Sequence, residues 1–149
     1  MNEGLSELFE RAKQARARAY APYSRFPVGA ALRAAGGAVH AGANVENAAY
    51  PLGLCAEAAA IAAMVAAGDR EIREILVLGP SEAGRVAPCG ACRQRISEFA
   101  YGTVLVYLAD DSGECGRHEL SELLPHAFGP DALRGGAQGM SEHADGGKR

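Results

Sequence analysis

The stretch 74–109, "EILVLGPSEAGRVAPCGACRQRISEFAYGTVLVYLA", holds two apolar runs on either side of a helical segment. "EILVLGP" predicts a buried strand at 74–79, and "TVLVYLA" predicts a second one at 103–109. "GACRQRISEFA" between them predicts a helix. Because a helix that joins two buried strands is typical of a β-α-β crossover, the strands should be parallel neighbours. The stretch therefore predicts an α/β fold.

Two upstream segments add a first helix and an antiparallel part of the sheet. Apolar residues at three- and four-residue intervals predict an amphipathic helix over 3–20, which Pro22 ends. "FPVGAALRAAGGAVHAGANVE" predicts a β-hairpin over about 27–44 with Gly36 and Gly37 in its turn. The expected architecture is an α/β sandwich with a mixed sheet.

The remaining segments predict two further helices and a tail. The alanine-rich "LCAEAAAIAAMVAA" predicts a helix over about 55–67 that Gly68 ends. "DDSGECGRHE" is predicted as a polar turn beyond the last strand, and "RHELSELLPHAF" as a short helix that stops near Pro125. The last segment, "RGGAQGMSEHADGGKR", has little to bury, so we expect one domain over 1–133 and a disordered tail over 134–149.

Composition and charge exclude several classes of protein. A chain of 149 residues has a common size for one domain, and a net charge of −3 without a long Lys/Arg run gives no basis for binding a nucleic-acid backbone. The N-terminus lacks the pattern of a signal peptide, and no apolar stretch approaches the length of a membrane span. We therefore expect a cytoplasmic protein that binds neither nucleic acid nor membrane.

Three of the four cysteines have the spacing of metal ligands. Cys89 and Cys92 in "PCGAC" share one face of the first turn of a predicted helix, and Cys55 starts another helix. Helix N-termini stabilise thiolates, the form of cysteine that binds metal. Three soft thiolates favour zinc, and three protein ligands with a fourth position open are typical of a catalytic zinc.

Glu57 is predicted to lie beside this metal rather than on it. It follows Cys55 by two residues, and side chains at that spacing do not share a helix face. A carboxylate next to a metal-activated water can act as a general acid and base. Alternatively, Glu57 only interacts favourably with the helix dipole. The combination of C-x-E at one helix start with P-C-x-x-C at the next favours the catalytic role.

Other interpretations of the cysteines stay open. Cys115, in "DDSGECGRHE", is the candidate that would close the site and make the zinc structural, in a module that binds a partner. Thioredoxin-like redox chemistry would explain Cys89 and Cys92, but not Cys55 and Glu57. The histidines show no spacing to the cysteines and are interpreted as non-ligands: His40, His118, His126 and His143.

Four stretches resemble the cytidine deaminase family of the zinc deaminase superfamily: "YSRFPVGAAL", "NVENAAYPLGLCAE", "PCGACRQ" and "ELLPHAFGP". The resemblance is to the short, homotetrameric, three-cysteine branch, because Cys55 stands where larger dimeric relatives usually have histidine. It implies a three-layer α/β/α sandwich with a mixed sheet of about five strands. The implied reaction is hydrolytic deamination of cytidine and deoxycytidine to uridine and deoxyuridine in pyrimidine salvage.

The resemblance also implies the catalytic roles. One zinc ion per subunit, held by Cys55, Cys89 and Cys92, would activate the water that attacks C4 of the pyrimidine. Glu57 would carry the proton to N3 and then to the leaving amine. A deaminase of a modified nucleoside such as blasticidin S is an alternative, but the Asn and Glu of "NVENAAY" suit an ordinary ribose.

Substrate contacts follow from the same resemblance. Asn44 and Glu46 would bind the ribose 3′-hydroxyl, Phe26 would pack against the pyrimidine, and the Ala56 backbone N–H would hold the carbonyl at C2. Without the resemblance, Phe26 would be interpreted as a core aromatic and the two polar residues as turn residues.

Tyr50 and Phe128 would reach the active site of a neighbouring subunit in the homotetramer. Alternatively, they anchor their own loop and C-terminal segment.

Ala58 departs from the pattern, because relatives in this branch commonly have arginine after C-A-E. Three thiolates on Zn²⁺ leave a net charge of −1, which weakens the metal as a Lewis acid unless another group offsets it. Arg93, next to Cys92, is the nearest other cation in sequence, and a guanidinium can donate hydrogen bonds toward thiolate sulfur. We hypothesise that Arg93 takes this role.

Overall fold

The computed structural model describes residues 2–113 and 115–133, without the side chains of Ser81 and Cys115. In chain order its main elements are α1 (Glu3–Arg16), β1 (Gly29–Ala34), β2 (Val39–Ala43), α2 (Ala56–Ala66), β3 (Ile72–Leu78), α3 (Gly90–Glu98), β4 (Leu105–Ala109), β5 (Cys115–Glu119) and α4 (Leu120–Leu123). Two short 3-10 helices cover Tyr50–Leu52 and Ser81–Ala83. The tail predicted over 134–149 lies outside the described residues.

The strands form one five-stranded mixed sheet in the order β2-β1-β3-β4-β5. β3 and β4 are parallel, in the register Glu74 to Leu105, and α3 connects them. The other three pairs of neighbouring strands are antiparallel. The predicted crossover and the hairpin at the other end of the sheet are both confirmed.

Helices cover both faces of the sheet, which gives the three layers that the resemblance implied. On one face, α1 buries Leu8, Phe9 and Ala12 against side chains of β1, β3 and β4. On the other face, α2, α3 and α4 pack against the alternate side chains of the same strands. The buried residues of this larger core include Ala30, Leu32, Ala56, Ala60, Ile61, Met64, Ile75, Ile96, Val106 and Leu120. The predicted fold class is correct.

The position of α2 depends on its close approach to β2. A Cβ on Gly42 would lie 2.4 Å from the Ala60 backbone nitrogen and 2.7 Å from the Ala56 carbonyl oxygen, so only glycine fits there. At its other end α2 stops as predicted at Gly68, which has a φ of +99°. Gly42 therefore fixes the distance between the sheet and the helix that begins at Cys55.

The first helix is shorter than predicted, because it ends at Arg16 instead of continuing to residue 20. Beyond the helix, the Tyr20 N–H donates to the Asn44 carbonyl at 3.0 Å, and the Glu46 N–H donates to the Tyr20 carbonyl at 2.8 Å. These bonds with the segment after β2 draw residue 20 into an extended conformation. Pro22 was therefore not the signal that ended the helix.

The polar segment near Cys115 was wrongly predicted as a turn, and the short helix predicted to follow it was expected to begin too early, at Arg117. Cys115–Glu119 forms β5, antiparallel to β4, and α4 covers only Leu120–Leu123. β5 is an edge strand, held through backbone pairing on one side, and edge strands commonly carry charged residues. Its polar sequence therefore lacks the apolar pattern that marks a buried strand.

Candidate metal centre and active site

Two helix starts bring three thiols together. Cys55 is the N-cap of α2, Cys89 is the N-cap of α3, and Cys92 lies in the first turn of α3. Their sulfur atoms all lie within 4.8 Å of one another. Tetrahedral zinc with sulfur ligands at about 2.3 Å brings the sulfurs about 3.8 Å apart, so a small inward movement is sufficient. The trio fits a zinc ion.

The environments of the three thiols differ. Burial, and next the Glu57 carboxylate, raise the pKa of the Cys92 thiol, and burial raises that of Cys55. Burial also opposes ionisation of Cys89, but the backbone N–H groups of Cys92 and Ala91 and the neighbouring thiols outweigh it and lower its pKa. The start of α3 thus favours one thiolate, while the other two thiols need a cation to ionise.

Glu57 is the acid of the site. Its side chain is only 5 % exposed and lies in the first turn of α2. It borders a cavity of about 240 Å³. The cavity is lined by Phe26, Val28, Asn44, Cys55, Ala56, Glu57, Val77, Val86, Ala87 and Cys89. A buried carboxylate and a thiol cluster therefore face one small, mainly apolar hollow.

Phe26 and Asn44 also border this cavity, as expected of substrate contacts. Phe26 is 38 % exposed, which argues against its being a core aromatic. The Asn44 side chain braces the segment before β1, because its Oδ1 accepts from the Val28 N–H and its Nδ2 donates to the Phe26 carbonyl, each at 2.8 Å. Asn44 thus holds Phe26 in place as well as facing the cavity.

Glu46 borders a second hollow of about 350 Å³ instead of the first. This hollow is lined by Tyr23, Ser24, Glu46, Asn47, Tyr50 and Gly53. The Ser24 hydroxyl and the backbone N–H groups of Ser24 and Tyr23 donate to the Glu46 carboxylate. The hydroxyl hydrogen bond is the main cause of a lowered pKa of Glu46. In the structure, Glu46 thus holds the loop at Ser24.

Tyr50 and Phe128 lie outside the first cavity. Tyr50 is 75 % exposed, with its ring centroid 5.9 Å from that of Tyr23. Phe128 is 61 % exposed, and its backbone carbonyl accepts a 2.8 Å hydrogen bond from Gln94 Nε2 in α3. Neither ring is brought to the thiols within one chain.

Arg93 donates from Nε to the Pro88 carbonyl and from Nη1 to the Leu123 carbonyl, each at 2.8 Å. The first bond braces the residue immediately before Cys89, and the second ties α3 to the end of α4. Ala58 is 8 % exposed, so a side chain of any length at this position has to find room inside the fold.

Among the described residues, the cysteine trio is the group placed to bind a metal ion. His40 pairs with Asp69 at 2.8 Å, and His118 lies 3.8 Å from Glu122. His143 lies outside the described residues, as does the side chain of Cys115.

Sequence reasoning missed four residues that line the first cavity: Val28, Val77, Val86 and Ala87. The position of Val86 and Ala87 just before P-C-x-x-C was the available signal, because a loop that leads into a ligand must pass close to the metal.

Comparison with known proteins decides the family. Residues 2–108 match the family model described as the cytidine and deoxycytidylate deaminase zinc-binding region. The chain belongs to this deaminase family. The deaminase is 43 % identical to a cytidine deaminase of Sporosarcina psychrophila over 129 residues, which cover 87 % of this chain and 94 % of the relative. It is 46 % identical to that of Halalkalibacterium halodurans over 121 residues, which cover 81 % and 91 %.

Solved structures give the same result. The crystal structure of cytidine deaminase from Burkholderia pseudomallei matches with a TM-score of 0.78 at 45 % identity, over 86 % of this chain and 100 % of that chain. Cytidine deaminase from Mycobacterium tuberculosis matches with a TM-score of 0.73 at 38 % identity, over 83 % and 96 %. The deaminase is therefore an enzyme of a hydrolytic, zinc-binding family. In the part of it that the structure describes, no helix is long and apolar enough to cross a membrane.

Proposed function

We propose that this chain deaminates cytidine and deoxycytidine hydrolytically, with zinc, to uridine or deoxyuridine and ammonia, in pyrimidine salvage. The main support is that the buried Glu57 carboxylate and two of the three clustered thiols, Cys55 and Cys89, line one cavity. The relatives named cytidine deaminase, similar over most of their length, support the substrate class.

Glu57 does the proton chemistry in this proposal. Zinc held by the three cysteines supplies a Lewis acid that makes a water molecule acidic near neutral pH. The Glu57 carboxylate takes a proton from the water whose oxygen bonds to C4 and delivers it to N3 of the ring. It then passes the remaining hydroxyl proton to the amine, the C4–N bond breaks, and ammonia leaves.

The other residues of the cavity orient the nucleoside. Phe26 packs against the pyrimidine, and the Ala56 N–H, unpaired by the helix because it lies at the start of α2, donates to the carbonyl at C2. Asn44 and Glu46 bind the ribose 3′-hydroxyl. Since Glu46 borders the neighbouring hollow, the ribose should extend from the first cavity toward the second.

We infer that the active enzyme is a homotetramer in which Tyr50 and Phe128 contribute to a neighbour's site. Both rings are mostly exposed and lie away from the thiols of their own chain. Further large apolar side chains with substantial exposure include Tyr20, Tyr23, Val45, Leu52, Leu54, Tyr101 and Leu133. Such an apolar surface is typical of an interface with another protein.

We also propose that Arg93, which follows Cys89 and Cys92 at the start of α3, offsets the negative charge of the thiolates. Its hydrogen bonds to the Pro88 and Leu123 carbonyls hold the guanidinium in place. The positive charge would therefore act on the thiolates through space, and the bond to Pro88 would help to position Cys89. With Arg93 in this role the site needs no cation at position 58, and because Ala58 is buried, an arginine introduced there would first have to be accommodated by repacking.

The deciding experiment follows the ultraviolet spectrum of cytidine during incubation with the zinc-loaded protein. We expect conversion to uridine, and in Glu57→Gln a rate lower by about 10²–10⁴-fold with zinc content unchanged. An unchanged spectrum with the wild type would reject the deaminase proposal. Equal rates in both proteins would instead reject the role of Glu57.

A further inference from the structure

Gly79 and Val86 lie in the connection between β3 and α3, which folds back on itself. A Cβ on Gly79 would lie 2.5 Å from Val86 Cγ2 and 3.1 Å from Val86 Cβ. The first distance is shorter than side chains tolerate, so glycine is what allows Val86 to lie against the backbone at position 79.

The backbone at Gly79 has little freedom to move away. Its carbonyl accepts a hydrogen bond from Arg16 Nη1 at the end of α1, and Arg16 Nη2 pairs with Asp111. The preceding residue, Leu78, is fully buried and paired with Ala109 of β4. An added carbon at position 79 must therefore displace Val86 rather than the strand.

Val86 has the catalytic cavity on its other side. It is half-buried and lines the same 240 Å³ hollow as Cys55, Cys89 and Glu57. If the carbon that loses its amine lies at the thiols, the neighbouring ring carbon, C5, enters the same end of the cavity. Val86 and Cys89 both line the cavity and lie three residues apart in one short loop, which favours a place for Val86 in the wall near the thiols.

We propose that Val86, held in place by its contact with Gly79, limits the size of the substituent that the cavity accepts on the pyrimidine next to the reacting carbon. Val86 is thus a specificity-determining residue that acts by packing, and Gly79 is its positioning residue. The inference rests on the proposed deaminase function.

The first test changes the size of the side chain at Val86. The zinc-loaded wild type, Val86→Ala and Val86→Ile are compared on cytidine and 5-methylcytidine. We expect Val86→Ala to raise the ratio of kcat/KM for 5-methylcytidine over cytidine by about tenfold, and Val86→Ile to lower it, because one methyl group in an apolar pocket has an effect of about this size. Gly36→Ala, in the turn between β1 and β2, is the control and should leave the ratio unchanged.

The second test alters the contact between Gly79 and Val86. Gly79→Ala should lower kcat/KM for cytidine by about tenfold by moving Val86 into the cavity. Val86→Ala in the same chain removes the clashing Cγ2 and should restore most of this loss. Calorimetric binding of uridine and 5-methyluridine gives a readout that does not depend on turnover, and thermal unfolding shows whether each variant is folded.

The outcomes separate the two proposals. If the wild type does not deaminate cytidine, the proposed function is wrong and this inference falls with it. If the wild type is active but both Val86 variants keep the wild-type ratio, the inference alone is overturned. The same holds if Val86→Ala fails to rescue a folded Gly79→Ala. If Gly79→Ala does not fold, the substrate ratios of Val86→Ala and Val86→Ile still decide whether Val86 determines specificity.

Discussion

The first hollow, at the thiols, and the second, at Glu46, differ in how much of each is enclosed by one chain. The first has a buried acid, Glu57, and thiols from two helices on one side, with Phe26 on another. The second is bordered by Tyr50, which is 75 % exposed, and by Glu46, whose carboxylate is already occupied by a loop. The groups proposed for the reaction are therefore assembled within one chain, whereas on the proposed function the ribose would need side chains from another copy to complete its surroundings.

The largest effect should come from removing a ligand in the first hollow. Cys92→Ser replaces a buried thiol of the trio, so we expect loss of zinc and of all measurable deamination, together with a lower midpoint of thermal unfolding. Zinc content by mass spectrometry or atomic absorption checks this. Cys115→Ser is the matched control and should retain one zinc per subunit. Loss of zinc in that control would support a closed, structural four-cysteine site instead.

The next effect should come from the charge beside the thiols. Arg93→Gln keeps a hydrogen-bonding group but removes the positive charge, and we expect zinc affinity to fall about 10–100-fold. Competition with a chelator measures the affinity. Arg95→Gln changes an exposed arginine of the same helix and should have no effect. Unchanged zinc affinity and turnover in Arg93→Gln would remove Arg93 from the site.

A smaller effect should come from Phe128, the aromatic residue proposed to reach a neighbouring subunit's site. Phe128→Ala should lower kcat/KM for cytidine at least about tenfold, as truncation of an aromatic contact commonly does. Because the ring is proposed to serve a neighbour, mixing unfolded Phe128→Ala and Glu57→Gln chains and refolding them together should create wild-type sites. With random assembly, about a quarter of the sites would combine both intact residues. If the mixture is no more active than its separate components, the two residues act in the same subunit.

The smallest effect concerns the loop at the second hollow. Hydrogen bonds from Ser24 lower the pKa of Glu46 below its ordinary value of 4.5, so the carboxylate stabilises the fold above that pH. This contribution is lost as the pH falls through the lowered value. We expect Glu46→Gln to unfold at a slightly lower temperature than the wild type at pH 7, with a gap that narrows as the pH falls below 4.5. Glu10→Gln, an exposed carboxylate of α1, is the control, and a gap that does not change with pH would contradict this account.

The parts of the structure that sequence predicted have a local cause. The strands around α3 are continuous apolar runs, and burial on both faces requires such runs. Cys55, Cys89 and Cys92 converge because two crossover connections of one sheet, those that contain α2 and α3, bring two helix starts together. Short-range sequence patterns and the chemistry of individual side chains were therefore enough to predict most of the polar residues of the first hollow.

The parts that sequence did not predict depend on contacts between distant segments. β5 is held by its backbone pairing with β4, and that pairing leaves no side-chain pattern. Asn44 and Glu46 are close in sequence but border different hollows, because Val45 between them is bridged to Tyr20 and Leu54. Val86 reaches the cavity only because the loop returns to Gly79.

The close approach of β2 to α2 at Gly42 divides the alanines of the catalytic helix into two classes. Ala56 and Ala60 are fully buried where the strand passes, whereas Ala62, Ala63 and Ala66 are exposed. Amino-acid substitutions should therefore be tolerated at the exposed alanines of this helix and should be destabilising at the buried ones. A larger residue on the inner side would push away the turn that carries both Cys55 and Glu57, so a change of packing would remove metal and acid together. The need for small side chains at Gly42, Ala56 and Ala60 therefore limits which substitutions near the active site this enzyme can accept.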